Sequence, residues 1–198
     1  PHKLLLSTGA VTIANYTDSK SGKKGEFHHS LGFVIVELDG EHFHIRQVSA
    51  DDKGNFYDLF KRVKNGVVSE NEEGCEVAVL GDIHIAHNDN KATALSFDLL
   101  DKMKPKHTMI HDIIDCESIS HHEENDPFRI MQKEENGTGD LRKEVDIMVE
   151  WVAKRLKYNL VIVRSNHDDF LDRWLKSVDW RRARNKRMFL FGAEILAN

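Results

Sequence analysis

The sequence is poor in the residues and patterns that define several classes of protein. Its 198 residues include only 2 cysteines and 3 prolines, which argues against a disulfide framework and against a proline-rich or collagen-like chain. No apolar run approaches the roughly 18–20 residues of a membrane span, and no signal-peptide pattern opens the chain. The formal net charge of -5 indicates no particular partner. These absences predict a globular protein of a reducing cytosol, with no membrane association.

Histidines and carboxylates, in contrast, are abundant. The chain contains 12 histidines and 33 aspartates and glutamates, the side chains that bind metal ions through nitrogen and oxygen. Hydrophobic residues make up 40% of the sequence, which is enough to build a core. The composition therefore favours a folded domain with metal chemistry.

The first part of the chain, residues 1–72, is predicted to be a β-rich region. Residues 33–38 are rich in β-branched side chains, and a second strand is expected at residues 41–46. Between them, Asp39 and Gly40 are typical of a tight hairpin turn. The other expected elements are a strand at residues 11–13, a loop at residues 19–25 and a short helix at residues 56–63.

A polar, acidic stretch at residues 69–74 predicts a boundary, so a second domain is expected over residues 73–198. Short apolar runs there alternate with helical spacings, which favours an α/β domain with a parallel or mixed sheet covered by helices. Functional residues of such sheets lie at the carboxyl ends of the strands. The predicted strands are residues 76–80, 108–114 and 159–164, and the predicted helices are residues 91–103, 140–157 and 169–178.

Each of these predicted strands is followed by side chains suited to metal chemistry. Asp82 and His84 follow the first strand, and in an extended segment both would project from the same face. Asp112 follows the second strand, where one carboxylate can bridge two cations. After the third strand, the amide oxygen of Asn166 can bind a cation and His167 can act as a general acid. The order of the three motifs therefore predicts one site at one edge of the sheet.

Each motif also has a simpler explanation when it is taken alone. The first is also typical of a polar strand end that caps a loop, and Asp115 of the second is also typical of a helix start or turn. Residues 165–168 are typical of an N-cap followed by a turn. The agreement of three motifs in order, each after an apolar strand, is what favours the metal site.

The three motifs resemble those of a known family. The sequence G-D-I-H at residues 81–84, H-D-I-I-D at 111–115 and S-N-H-D at 165–168 is similar to the ordered motifs D-x-H, G-D-x-x-D and G-N-H-D/E of calcineurin-like metallophosphoesterases. The resemblance covers residues 76 to about 180. It implies a metallophosphoesterase-type mixed β-sheet core flanked by helices, in which a water activated by two metals hydrolyses a phosphoester.

The resemblance also implies roles for individual residues. Two divalent metal ions are expected, and the absence of thiolate ligands favours Mn²⁺, with Fe and Zn as alternatives. The implied metal ligands are Asp82, His84, Asp112 and Asn166, the implied catalytic pair is His167 with Asp168 as its orienting partner, and Asp115 has a supporting role.

The sequence departs from the family pattern at several places. His111 and Ser165 stand where the family usually has glycine, and no Gly-His-x-His motif follows His167. Three explanations are open: the chain stops before the last ligands, the fold is permuted and histidines of the β-rich region replace them, or the site is degenerate. We favour the first, a core that is truncated before its last strands, since the chain begins with Pro1 rather than Met.

The details of the second and third motifs favour the nuclease branch of the family, which includes the SbcCD-type nucleases. The phage-encoded members of that branch, of the kind made early by T-odd coliphages to degrade DNA, are most similar. DNA is therefore the expected substrate and the host bacterial cytoplasm the expected location, while a homo-oligomer is left open. The alternatives are a small-molecule or cyclic-nucleotide phosphodiesterase and a catalytically silent binding or assembly subunit with the same fold.

Two further groups of residues are candidates for substrate binding. A basic run that includes Arg181, Arg182 and Arg184 could contact DNA phosphates, and its alternative is a solvated helix face. His121 and His122 follow the second motif and could reach the substrate phosphate or a metal, and their alternative is a solvated polar loop.

Overall fold

The computed structural model describes residues 4–120, 123 and 126–197, without the side chains of residues 183 and 184. The described part of the chain contains six α-helices and three small sheets, which makes it an α/β protein as predicted. The chain divides into two compact units, residues 1–74 and 75–198, whereas the sequence predicts a boundary between residues 72 and 73. None of the helices in the described ranges is long and apolar enough to cross a membrane.

The first unit contains the predicted hairpin. Strands β1 (Gly32–Asp39) and β2 (His42–Ser49) pair antiparallel, and Asp39 lies opposite His42. Gly40 adopts a φ of 59° in the connecting turn, a conformation that glycine reaches without steric penalty. The helix α1 (Lys20–Phe27) precedes the hairpin.

Three other predictions for the first unit are wrong. The predicted loop at residues 19–25 is helix α1, which begins because Ser19 accepts a hydrogen bond from the Gly22 amide at 3.0 Å. The predicted strand at 11–13 is irregular, although Ala10 forms an isolated bridge with Leu31. The predicted helix at 56–63 is a turn between two strands, because Leu59 adopts a left-handed φ of 50°. An antiparallel sheet is formed there by β3 (Phe56–Asp58), β4 (Lys61–Lys64) and β5 (Val67–Glu70).

The second unit is built on a parallel sheet in the order β6-β7-β8. Helices connect its strands, as the alternating pattern predicts. All three strands are parallel, so the described sheet is not mixed. Its strands are β6 (Val77–Val79), β7 (His107–Ile110) and β8 (Leu160–Ile162), and its helices are α2 (Asn90–Met103), α3 (Pro127–Asn136), α4 (Leu141–Ala153), α5 (Phe170–Ser177) and α6 (Ala183–Ala197).

Helix α3 is an element that the sequence analysis does not predict. Its start is specified by Asp126, whose side chain accepts hydrogen bonds from the amides of Phe128 and Arg129 at 3.0 and 3.1 Å. Pro127 occupies the first turn, and Gly137 ends the helix with a φ of 70°. These are common helix start and stop signals, so the sequence alone was sufficient to predict this helix.

Two apolar clusters stabilise the second unit. The first joins α2, β7 and α4, and the second packs α4, α5 and α6 against the segment after residue 115. Ile113 and Cys116, which follow β7, are therefore buried in these clusters. The buried members are Phe97, Leu100, Ile110, Ile113 and Trp151 in the first cluster, and Cys116, Ile119, Leu141, Trp174 and Met188 in the second.

Replacing Ile110 with alanine is expected to lower the free energy of unfolding by about 2–5 kcal/mol. Ile110 is 0% exposed, so the substitution removes buried methyl and methylene groups and leaves a cavity. Urea denaturation of the purified chain measures the loss. Val79, which lies on the neighbouring strand and is 68% exposed, provides the control, since Val79→Ala should change stability by no more than about 1 kcal/mol. Equal losses in the two variants would contradict this assignment of the core.

Candidate metal centre

The first two motifs lie side by side beyond the ends of their strands. The pairing of β6 and β7 continues as backbone hydrogen bonds from Leu80 to Met109 at 3.0 Å and from His84 to Asp112 at 2.8 Å. The third motif follows β8, which pairs with β7 on its other side. The parallel sheet therefore brings the three motifs to one edge, as the sequence predicts.

Two residues of this edge have a left-handed backbone. His84 has a φ of 44° and Asp112 a φ of 48°, a conformation that is uncommon for residues other than glycine. Strand β7 consequently ends at Ile110 rather than at residue 114. The chain also turns at His84, so the prediction that Asp82 and His84 project from one face of an extended segment is wrong.

The first cluster of potential ligands consists of Asp82, His111 and Asp112. Nδ1 of His111 lies 2.9 Å from Oδ2 of Asp112 and 3.5 Å from Oδ1 of Asp82. The ligand atoms of the three residues lie within 4.8 Å of one another. His111 is the potential ligand that the sequence analysis missed, because it stands where the family pattern has glycine.

Asp112 is the most buried member of this cluster. The residue is 7% exposed, and its Oδ1 has no hydrogen-bond partner among the described residues. Burial alone would raise the pKa of Asp112, but the nearby Ser165 hydroxyl and the hydrogen bond from His111 hold it below its ordinary value. The carboxylate is therefore ionised at neutral pH and keeps one oxygen available for a ligand.

The second cluster consists of His84, Asp115 and His167. Oδ1 of Asp115 accepts a hydrogen bond from Nδ1 of His84 at 2.6 Å, and its Oδ2 lies 3.4 Å from the Ala86 amide. The rings of His84 and His167 meet edge to face with centroids 4.8 Å apart. Nδ1 of His167 is buried without a hydrogen-bond partner in the described ranges. Asp115, predicted only as a supporting residue, is thus in direct contact with a predicted ligand.

The predicted role of Asp168 is not supported by its contacts. Its Oδ2 accepts hydrogen bonds from the backbone amide and the hydroxyl of Ser165 at 3.1 and 2.9 Å. This carboxylate closes the turn after β8 and does not bond to His167, so the prediction that it orients the imidazole is wrong.

A cleft of about 680 Å³ opens next to the second cluster. Asn166, a predicted ligand, is exposed and lines this cleft together with Asp115 and His167. The other lining residues are His87, Glu117, Ser120, Glu123, Arg129, Gln132, Lys133, Asn136, Thr138 and Phe170.

None of the described side chains of the predicted basic run lines the cleft. Arg181 pairs with Asp179 at 2.9 Å, and Arg182 lies 4.0 Å from the same carboxylate. The side chain of Arg184 lies outside the described part of the structure, as do His121 and His122 altogether. Farther along the chain, Arg187 lines a separate cavity of about 440 Å³.

Cys116 is a buried small side chain. It is 2% exposed, and burial, together with the nearby carboxylate of Glu144, raises the pKa of its thiol to about 12. The thiol is therefore protonated at neutral pH and is neither a nucleophile nor a thiolate ligand.

Glu144 makes the stability of this region depend on pH. Burial raises its pKa above the ordinary value of 4.5, although Ser118 donates its hydroxyl to the carboxylate at 2.6 Å. A carboxyl with a raised pKa binds its proton more tightly in the folded state, so its contribution is most favourable below the ordinary pKa and is lost as pH rises through the raised value. We expect Glu144→Gln to gain stability relative to the parent protein between about pH 4 and about pH 8.

Urea denaturation at the two pH values tests this expectation. Glu150 is the control, because Lys154 lowers its pKa, so Glu150→Gln should show a small effect of the opposite sign. A relative stability of Glu144→Gln that does not change with pH would contradict the prediction.

The chain was also compared with known proteins. No family model matches it, and no solved structure matches it. It is 32% identical over 184 residues to a protein described as Protein A1 of Escherichia phage T5. The match covers 86% of this chain and 33% of that protein, so the chain spans about a third of the length of this relative. The comparison indicates that the chain is related to a phage protein.

Proposed function

We propose that this chain is a metal-dependent phosphodiesterase that hydrolyses DNA. The observation that supports the proposal most directly is Oδ1 of the buried, ionised Asp112, which has no hydrogen-bond partner among the described residues and lies within a cluster of three potential ligands. An unpaired buried carboxylate oxygen is destabilising unless something occupies it. A divalent cation satisfies that requirement.

The residues at the strand ends fit two divalent cations. Asp82, His111 and Asp112 would hold one of them. His84 and Asp115 would hold the other, with Asn166 on the wall of the same cleft. Their imidazole nitrogens and carboxylate or amide oxygens suit Mn²⁺, Fe or Zn. When bound, such cations withdraw electron density from phosphate oxygens and lower the pKa of water.

The protein residues supply orientation and proton transfer. Asp115 accepts a hydrogen bond from Nδ1 of His84, which fixes that ring and leaves its Nε2 to face a ligand. His167 lines the cleft and has no hydrogen-bond partner on Nδ1 among the described residues. It would donate a proton to the sugar oxygen that leaves when the phosphodiester is cut.

DNA is the substrate that we favour. The cleft has a volume within the range of about 300–1,000 Å³ that is typical of ligand sites, and it lies directly next to the second cluster. The relationship to a phage protein suits an enzyme that acts on nucleic acid in the cytoplasm of an infected host. The resemblance of the three motifs to the nuclease branch agrees with this choice.

The proposal is tested by metal titration and DNA cleavage on the purified chain. We expect linear DNA to be cut in the presence of Mn²⁺, cleavage to stop when the chelator EDTA is added, and excess Mn²⁺ to restore it. Isothermal titration calorimetry should give two Mn²⁺ ions per chain. Turnover of bis(p-nitrophenyl) phosphate without cleavage of DNA would contradict DNA as the substrate, and failure to bind any divalent cation would contradict the whole proposal.

A further inference from the structure

One face of helix α3 forms part of the wall of the cleft. Arg129, Gln132, Lys133 and Asn136 line it together with His167 of the second cluster. Their spacing of three and four residues places the α3 side chains on one side of the helix. The helix and the second cluster therefore face the same space of about 680 Å³.

The two cations of this helix face differ in their partners. Lys133 forms an ion pair with Glu123 and donates a hydrogen bond to the Glu117 carbonyl at 2.6 Å. Its side chain is only 14% exposed, so Lys133 serves mainly to hold the wall together. Its charge is already neutralised.

Arg129 has no ion pair with a carboxylate among the residues that the structure describes. Its Nη1 donates a hydrogen bond to Oε1 of Gln132 at 3.3 Å, a neutral partner that positions the guanidinium without cancelling its charge. Lys133 and, to a smaller extent, Arg129 lower the pKa of Glu123. The ion pair of the Glu123 carboxylate, however, is with Lys133. A positive charge therefore remains available on the cleft wall.

We propose that Arg129, positioned by Gln132, binds a phosphate of the DNA strand adjacent to the phosphate that is cut. This inference rests on the proposed function. Guanidinium groups match phosphate oxygens with paired hydrogen bonds. A DNA strand presents a phosphate on each side of the scissile one, so a strand held at His167 brings a second anion into the cleft that Arg129 lines. Arg129 thus selects a polynucleotide over a small phosphodiester with a single phosphate.

The test is the substitution Arg129→Gln in the full chain with Mn²⁺. We expect the KM for DNA to rise about tenfold while kcat changes less than about twofold, since a phosphate contact away from the reacting atoms contributes mainly to binding. The slope of log KM against log salt concentration should fall by about 0.7–0.9, because one phosphate contact is lost. Arg129→Lys should restore part of the affinity, and turnover of bis(p-nitrophenyl) phosphate should not change.

Lys102 provides the matched control. It is exposed on α2 and is not among the residues that line the cleft, so Lys102→Gln removes the same charge without affecting KM. An unchanged KM and salt slope in Arg129→Gln, with DNA still cut, would overturn this inference and leave the proposed function intact.

A binding measurement separates the two proposals if cleavage is absent. Fluorescence anisotropy of a labelled oligonucleotide is recorded in EDTA, where no turnover occurs. Weaker binding by Arg129→Gln than by Lys102→Gln supports the phosphate site even without nuclease activity. Equal binding by the two variants overturns it.

Discussion

Replacing Asp112 with asparagine is expected to lower kcat/KM for DNA by about 10³-fold or more. The substitution keeps the shape of the side chain and removes the charge that a cation in the first cluster requires. A bound cation can stabilise the transition state by several kcal/mol. Each 1.4 kcal/mol of that stabilisation is worth about a factor of ten in rate. Calorimetry should show weaker Mn²⁺ binding by Asp112→Asn than by the parent protein.

Asparagine also controls for folding, because it tolerates the left-handed φ of 48° at this position. Asp112→Asn is therefore expected to fold, and a cooperative thermal unfolding transition without metal checks this. Asp98, which is exposed on α2, provides the matched charge control, and Asp98→Asn should cut DNA at the parental rate. Full activity of Asp112→Asn would exclude the first cluster from the reaction.

The second large effect is expected for His167→Ala. If this side chain protonates the leaving sugar oxygen, kcat for DNA should fall by about 10²–10⁴-fold. The loss should be much smaller for bis(p-nitrophenyl) phosphate, since p-nitrophenolate departs without being protonated. Comparison of kcat for the two substrates at constant Mn²⁺ measures the difference.

His107→Ala is the control for this variant. His107 is exposed and begins strand β7, at the end of the strand that is farther from the site. Its loss should therefore leave both activities unchanged. Equal losses of His167→Ala on the two substrates, together with one fewer Mn²⁺ per chain, would make His167 a ligand of the second cluster. No loss on either substrate would remove it from the mechanism.

The general arrangement of the second unit follows from local patterns in the sequence. Apolar runs such as residues 159–164 and helical spacings such as residues 91–103 are decided by side-chain periodicity, and the structure confirms a strand and a helix there. Parallel strands then bring their carboxyl ends together. That rule is sufficient to predict that Asp112 and His167 belong to the same edge.

The distribution of residues between the two clusters depends on backbone geometry that side-chain patterns do not specify. The sequence predicts that Asp82 and His84 act together, because alternate residues of a strand share a face. The left-handed conformation of His84 ends that alternation, and a second left-handed residue, Asp112, directly follows His111. A histidine or aspartate in this conformation gives no signal in the sequence, unlike glycine. The role of Asp168 is not predictable for a related reason. An aspartate that closes a turn and an aspartate that orients a histidine look identical in the sequence.

The left-handed residues of the site have a consequence for the evolution of the chain. His84 and Asp112 have positive φ values of 44° and 48°, and each such residue costs about 1–3 kcal/mol. Glycine or asparagine would relieve this cost but would remove the imidazole and the carboxylate. Selection for thermal stability alone should therefore accumulate substitutions at these positions and yield inactive proteins. A lineage that no longer needs the reaction should drift in the same direction, so these positions report whether a relative still uses its site.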